Sequence, residues 1–164
     1  MRSTSRWLLV VFAVALLAVA ASAQTTAHYR TGADGVLLPD PDSTPGATLQ
    51  VTVDLICTKS YAQKVRNVTE ATKRKVYSLY GAKKKSGVCC EVDHLISLEL
   101  GGANEVTNLW PQPYKAKPGA YEKDILENFL HRAVCGGAIT LEEAQRKIAT
   151  DWYKAYQEMK GINP

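Results

Sequence analysis

The chain has 164 residues, a formal charge of +4 at pH 7, 46% apolar residues and four cysteines. This length is enough for one domain with one core and excludes the need for a second. A charge so close to neutrality neither indicates nor excludes a nucleic-acid partner.

The N-terminus has the pattern of an export signal. Arg2 and Arg6 precede an apolar run over residues 7–20, and a small-x-small site at residues 21–23 follows it. The run is shorter than the roughly 20 residues of a bilayer-spanning helix, which favours cleavage over an anchor. We therefore expect residues 1–23 to be a signal peptide, leaving a secreted or periplasmic protein with no stable membrane association.

The next segments predict an arm followed by the main domain. Residues 24–48 are polar and rich in turn formers, which predicts an irregular N-terminal arm. The remainder, residues 49–164, is expected to form the domain. Its β-branched start, residues 48–56, predicts a short strand or extended segment, and residues 63–80 predict one or two helices that Gly81 ends.

A basic block accompanies those helices. Nine basic residues and a single acid lie between residues 59 and 85. Such a block can neutralise phosphates, although a solvated helix face has the same composition. The candidates for nucleic-acid binding are Arg66, Lys73, Arg74, Lys75, Lys83, Lys84 and Lys85.

A hairpin is predicted next. Residues 88–98 have the composition of a strand, Gly101 and Gly102 permit a turn with positive φ, and residues 109–110 resume an extended course. Two prolines soon end that second strand, Pro111 and Pro113.

Two helices complete the chain, so the predicted fold class is α+β. The first covers about residues 120–134, with an apolar side made of Ile125, Leu126, Phe129 and Leu130. The second covers about residues 141–159 and begins with a capping box of Thr140 and Glu143.

The residues suited to chemistry lie on the hairpin and on the first of these helices. Asp93 and His94 place a carboxylate, which suits a hard cation, beside an imidazole, which suits proton abstraction. On the helix, spacings of three and four residues place one polar stripe on successive turns: Asp124, Glu127, Asn128 and His131. A solvated polar face would have the same spacing.

Together Asp93-His94, Gly101-Gly102, Asn104, Asn108-Leu109 and His131 resemble the HNH, or ββα-metal, nuclease motif. The match is strongest over residues 91–131, and residues 44–152 resemble small secreted bacterial HNH endonucleases. The resemblance implies one small HNH-like nuclease domain, with a hairpin-helix core at about residues 88–135, flanking helices and a single bound metal ion.

The resemblance also implies roles for individual residues. Asp93 and His131 would bind the metal, with Glu127 and Asn128 as substitutes or additional ligands, because 23 positions separate Asn108 from His131 and leave the helix ligand open. Mg or Mn is the expected ion, with Zn and Ni as alternatives. His94 would be the general base, and the amide of Asn108 would tie the loop together, with Asn104 as a second candidate.

The resemblance implies a metal-dependent endonuclease that cleaves DNA with little sequence specificity. RNA is an alternative substrate. The protein is expected to be monomeric. The competing function is a noncatalytic extracytoplasmic module that binds a metal or a nucleic acid on the same scaffold. Scavenging of DNA, defence and an antibacterial effector role all stay open.

The cysteines of an exported chain predict disulfides. Four cysteines allow three pairings, and a bridge between the adjacent Cys89 and Cys90 would constrain almost no chain. We favour Cys57 with Cys135. A structural zinc site on Cys89, Cys90, His94 and His131 competes for the same thiols, but adjacent cysteines lack the usual spacing of zinc ligands.

Overall fold

The computed structural model describes residues 28–82 and 90–161. Within them the chain is a mixture of helices and two small antiparallel sheets, which confirms the α+β class. The strands are β1 (Arg30–Thr31), β2 (Leu37–Leu38), β3 (Cys90–His94) and β4 (Leu109–Pro113). The α-helices are α1 (Val53–Ile56), α2 (Tyr61–Val65), α3 (Glu70–Leu79), α4 (Ala120–Cys135) and α5 (Leu141–Lys160).

The central hairpin is formed by β3 and β4. They pair antiparallel, with Asp93 opposite Trp110 and His94 opposite Leu109. The strand predicted over residues 88–98 is shorter than expected, and residues 88 and 89 lie outside the described part. The strand ends at His94 because the buried side chain of Asn108 forms hydrogen bonds with the backbone N–H and carbonyl of Ile96.

Helices α4 and α5 build the main core, and their predicted positions are confirmed. The inward side chains of α4, Leu126, Leu130 and Val134, pack with Ala144, Ile148 and Trp152 of α5. The capping box at Thr140 and Glu143 is present, with the Thr140 hydroxyl accepting from the Glu143 N–H at 3.1 Å. Phe129 was expected on the apolar side of α4, but its side chain is 42% exposed.

In the described part of the arm, β1 and β2 pair over two residues each and Leu38 packs in the main core. One prediction for the N-terminal third needs correction. Residues 48–56 do not form one extended segment. Thr48 makes an isolated bridge to Gly102, and the chain then turns into α1, where the Thr52 hydroxyl accepts from the Leu55 N–H at 3.3 Å. That cap favours a helical turn over a strand.

Cys57 and Cys135 are joined by a disulfide that links the end of α1 to the end of α4, with a Cα–Cα distance of 5.8 Å. Cys89 lies outside the described residues, and Cys90 is not a free thiol. Such a bond is typical of proteins from an oxidising compartment. The helices of residues 28–82 and 90–161 include none long and apolar enough to cross a membrane.

Replacing both Cys57 and Cys135 by Ser should lower the free energy of unfolding by about 2 to 5 kcal/mol, because the bond closes a loop of 78 residues. Urea unfolding monitored by circular dichroism measures this change. Adding a phosphine reductant to a Cys89→Ser/Cys90→Ser variant, in which Cys57–Cys135 is the bond that remains to be reduced, should lower its stability by the same amount. A Cys57→Ser/Cys135→Ser variant as stable as the oxidised wild type would contradict a stabilising role.

Candidate active site

The centre of the site is a buried lysine that the sequence did not single out. The ammonium of Lys123, on the first turn of α4, is 1% exposed. It donates to Asp93 Oδ2 at 2.8 Å and to the His94 carbonyl oxygen at 2.7 Å, and it forms a short ion pair with Glu127. An ammonium has three N–H donors, so each of them has one acceptor here.

These three contacts also decide the charge of Lys123. Burial lowers the pKa of the Lys123 ammonium, but the carboxylates of Asp93 and Glu127 outweigh that effect and hold it above its ordinary value. Lys123 is therefore a permanent cation at neutral pH. Burial raises the pKa of Glu127, and the neighbouring Asp93 carboxylate acts in the same direction.

His94 lies next to this ion pair with its ring held from one side. The residue is 3% exposed, and its Nε2 lies 3.2 Å from Asn104 Oδ1. Because that amide oxygen is an acceptor, Nε2 carries the proton, and Nδ1 keeps a lone pair. Burial lowers the pKa of His94 below its ordinary value, so the neutral ring predominates at pH 7.

Two asparagines hold the loop between the strands. Asn108 is completely buried; its Oδ1 accepts from the Ile96 N–H, and its Nδ2 donates to the carbonyls of Ile96 and Ala103, all at 2.9 Å. Asn104 donates to the Val65 carbonyl at 2.8 Å and so ties the loop to α2.

Gly102 makes the close packing of this loop possible. A Cβ at Gly102 would lie 1.9 Å from the Ile96 carbonyl oxygen and 2.8 Å from Asn108 Nδ2. Any side chain there would therefore break the amide contacts of Asn108, so the second glycine of the pair is required by close approach.

Further carboxylates surround Asp93. The pKa values of Glu91 and Asp124 are raised, first by burial and then by the Asp93 carboxylate. Arg66 opposes this negative charge, since its guanidinium lowers the pKa of Glu91 and disfavours a charged His94. Asp93 therefore lies in a region where acidic groups outnumber the cations of Lys123 and Arg66.

A cavity of about 380 Å³ opens beside β3, between the basic helices and the strand. Its lining includes Arg66, Lys73, Tyr77, Glu91 and Tyr114. Arg66 and Lys73 of the predicted basic block thus line the same cavity as Glu91 of β3. Lys73 also pairs with Glu70 at 2.8 Å.

The rest of the basic block is divided. Arg74 and Lys75 are exposed on α3. Lys83, Lys84 and Lys85 lie outside the described residues.

The four predicted metal ligands are not brought together. His131 Nε2 lies 3.1 Å from the Ile56 carbonyl oxygen and 3.4 Å from Cys135 Sγ, beside the disulfide. Asn128 is exposed and donates to the backbone of its own helix. Over residues 28–82 and 90–161, one group of three metal-ligating side chains has its ligand atoms within 4.8 Å, and it is Cys57, His131 and Cys135.

The residues present thus do not fit a metal ion held by Asp93, His131, Glu127 and Asn128. The physical reason is that Lys123 already pairs with Asp93 and Glu127, while His131 lies near the opposite end of α4.

Lys123 could have been found from the helical spacing. It precedes Leu126 and Leu130 by three and seven residues, so it falls on the buried face of α4. Glu127, four residues later, is its natural ion-pair partner. The polar stripe was expected to begin at Asp124. In the structure it begins one position earlier, at Lys123, and continues through Glu127 to His131.

Replacing Lys123 by Met should lower the free energy of unfolding by about 3 to 5 kcal/mol at pH 8, because two carboxylates lose their buried cation. Without that cation the folded-state pKa of Glu127 rises further, because Lys123 opposes the effect of burial, and the folded protein takes up a proton on acidification. The stability difference from the wild type should therefore shrink as the pH falls towards 5.

Urea unfolding of both proteins at several pH values measures this difference. Lys147→Met is the matched control, because its ion pair with Glu158 is exposed and contributes little. A stability loss that is the same at pH 8 and pH 5 would contradict the assigned charges.

Comparison of the chain with protein-family models, with curated proteins and with solved structures found no match. The resemblance to HNH nucleases therefore stays a prediction from the sequence motif.

Proposed function

We propose that this protein is an exported endonuclease that hydrolyses phosphodiester bonds of DNA, with RNA as a second possible substrate, and that His94 is its general base. The observation that carries the proposal is the setting of the His94 ring. One ring nitrogen is engaged by Asn104, and no hydrogen bond to a described residue occupies the other.

This setting suits proton abstraction. A water that attacks phosphorus must lose a proton, and a positioned imidazole whose pKa lies at or below the working pH can accept it. His94 Nδ1 has the required lone pair at neutral pH, because Asn104 fixes the Nε2–H tautomer and burial keeps the ring neutral. The Lys123 contact to the His94 carbonyl holds the backbone from which the ring projects.

Binding of a polyanion is supported by the cations around the cavity beside β3. Arg66 can contact a phosphate with two parallel N–H groups, and Lys73 adds a point charge. Contacts of this kind recognise the sugar-phosphate backbone and not the base sequence, which fits a sequence-tolerant enzyme. Tyr114, 52% exposed at the cavity rim, offers an aromatic face in the same place.

His94 is assigned its role without a metal ion, because the side chains of Asp93, Glu127 and His131 do not converge on one point. The experiment decides this point directly. Cleavage of supercoiled plasmid and of single-stranded DNA is followed in EDTA, in Mg and in Mn. Activity that returns only with an added metal would mean that an ion joins Asp93 in the working enzyme.

Replacing His94 by Ala should reduce the cleavage rate by about 100-fold to 10,000-fold, the usual loss for a general base. Initial rates of plasmid nicking at fixed substrate and metal measure the effect. His28→Ala is the matched control, because His28 is an exposed histidine of the N-terminal segment. Nucleic-acid binding with no turnover by the wild type would instead support the noncatalytic module.

The pH dependence of cleavage should follow the ionisation of His94. The pKa of His94 is lowered, so the ring is still neutral at pH 6.5, the ordinary pKa of a histidine. The cleavage rate should therefore be constant from pH 8 down to pH 6.5 and fall only in more acidic solution. Asn104→Asp places a carboxylate beside Nε2, which stabilises the protonated ring, so the acidic limb should move to higher pH.

Initial rates between pH 4.5 and 8 measure this limb. Gln50→Glu adds the same charge at an exposed position and should leave the limb unmoved. An identical profile in Asn104→Asp and the wild type would exclude His94 as the titrating base.

A further inference from the structure

A second cluster of chemically reactive side chains lies at the far end of α4, apart from the proposed active site. It contains Cys57, Cys135 and His131, whose ligand atoms all lie within 4.8 Å of one another. Cys57 directly follows α1, whereas His131 and Cys135 occupy successive turns of α4. Two helices therefore deliver two sulfurs and one imidazole to the same point.

We propose that reduction of the Cys57–Cys135 disulfide creates a tetrahedral zinc site formed by Cys57, Cys135 and His131. Thiolates and imidazole are the ligands that zinc prefers, and a water molecule would complete the tetrahedron. While the disulfide is intact the sulfurs cannot bind zinc as thiolates, so the same residues hold either a covalent bond or an ion.

The distances fit this ion. Zinc bonds of about 2.3 Å to sulfur and about 2.0 Å to nitrogen set those two ligand atoms roughly 3.5 Å apart in a tetrahedron. Cys135 Sγ and His131 Nε2 lie 3.4 Å apart in the disulfide form. The two sulfurs must separate to about 3.8 Å after reduction, which side-chain rotation can supply because their Cα atoms are 5.8 Å apart.

The carboxylate of Glu99 lies near the second ring nitrogen of His131. His131 Nδ1 lies 3.8 Å from Glu99 Oε2, on the side opposite the sulfurs. Zinc-bound histidines usually donate their other N–H to such an acceptor, which fixes the tautomer and orients the ring. In the disulfide form Nε2 contacts the Ile56 carbonyl oxygen instead, so zinc would take the place of that contact.

A phosphine can supply the two electrons that reduction of the disulfide requires. A phosphine gives two electrons to the disulfide and becomes a phosphine oxide with oxygen from water. The sulfur–sulfur bond breaks, and each sulfur gains one electron and one proton. Zinc binding then displaces both thiol protons to solvent, and His131 binds through the Nε2 lone pair.

The test uses Co²⁺ as a spectroscopic probe for zinc, in a Cys89→Ser/Cys90→Ser background that removes the other two thiols. After phosphine reduction we expect one Co²⁺ per chain, with the intense visible bands of a tetrahedral thiolate site. Added Zn²⁺ should displace it. The oxidised protein should show no such bands.

Matched variants identify the ligands. His131→Ala should weaken metal binding at least about 10-fold, and Glu99→Gln by about 10- to 100-fold, the usual effect of losing the group that orients a ligand. His28→Ala should bind like the parent. The proposal is overturned if the reduced protein shows no tetrahedral spectrum, if His131→Ala binds as tightly as the parent, or if the reduced chain with zinc has lost its far-UV circular dichroism. None of these readouts depends on nuclease activity.

Discussion

The site depends on the burial of one positive charge, the Lys123 ammonium, between the hairpin and α4. Taking an ammonium and two carboxylates out of water costs several kcal/mol for each ion, and only complete pairing repays that cost. Lys123 meets this condition, since Asp93, Glu127 and the His94 carbonyl satisfy its three donors. A displacement of α4 from β3 would separate Lys123 from Asp93 and from the His94 carbonyl, although its pair with Glu127 lies within α4. These two contacts therefore fix the position of the helix relative to the strand.

The loop complements this constraint from the other side of the hairpin. Asn108 replaces strand pairing beyond His94 with three side-chain hydrogen bonds, and Asn104 connects the same loop to α2 and to the His94 ring. The His94 backbone is thus held by Lys123, and its side chain by Asn104. A histidine whose backbone and ring are both fixed loses little conformational entropy on reaching a reactive geometry, which favours general-base catalysis.

The sequence was informative where periodicity or turn chemistry decides the structure. The apolar spacing of residues 120–134 and 141–159 and the capping box at Thr140 predicted α4 and α5 within one residue at each end. Residues 48–56 were mispredicted because β-branched composition favours a strand, whereas the Thr52 cap and the fixed position of Cys57 favour a turn of helix. Local propensity is weak enough for such tertiary contacts to override it.

The candidate site was harder to predict, because pairs of distant residues build it. A lysine on an apolar stripe is normally a surface residue whose stem packs inward, and only the proximity of Asp93, thirty positions earlier, makes its burial favourable. His131 was predicted to share a metal site with Asp93, and the structure places its Nε2 beside the disulfide. Its spacing from Glu127 is right for one shared face, but the sequence does not show that α1 meets α4 at its final turn.

Helix α4 therefore connects the proposed active site and the proposed zinc site through one stripe. Lys123, Glu127, His131 and Cys135 follow each other at intervals of four residues, so they lie on successive turns of the same face. The first two face the hairpin, and the last two face the end of α1. Glu99 lies along the same face, where His131 and, more weakly, Lys123 both oppose the rise in its pKa that burial causes. Because the disulfide holds one end of this helix and the Lys123 ion cluster holds the other, α4 cannot slide along its axis without breaking both, and the hairpin that presents His94 stays in register.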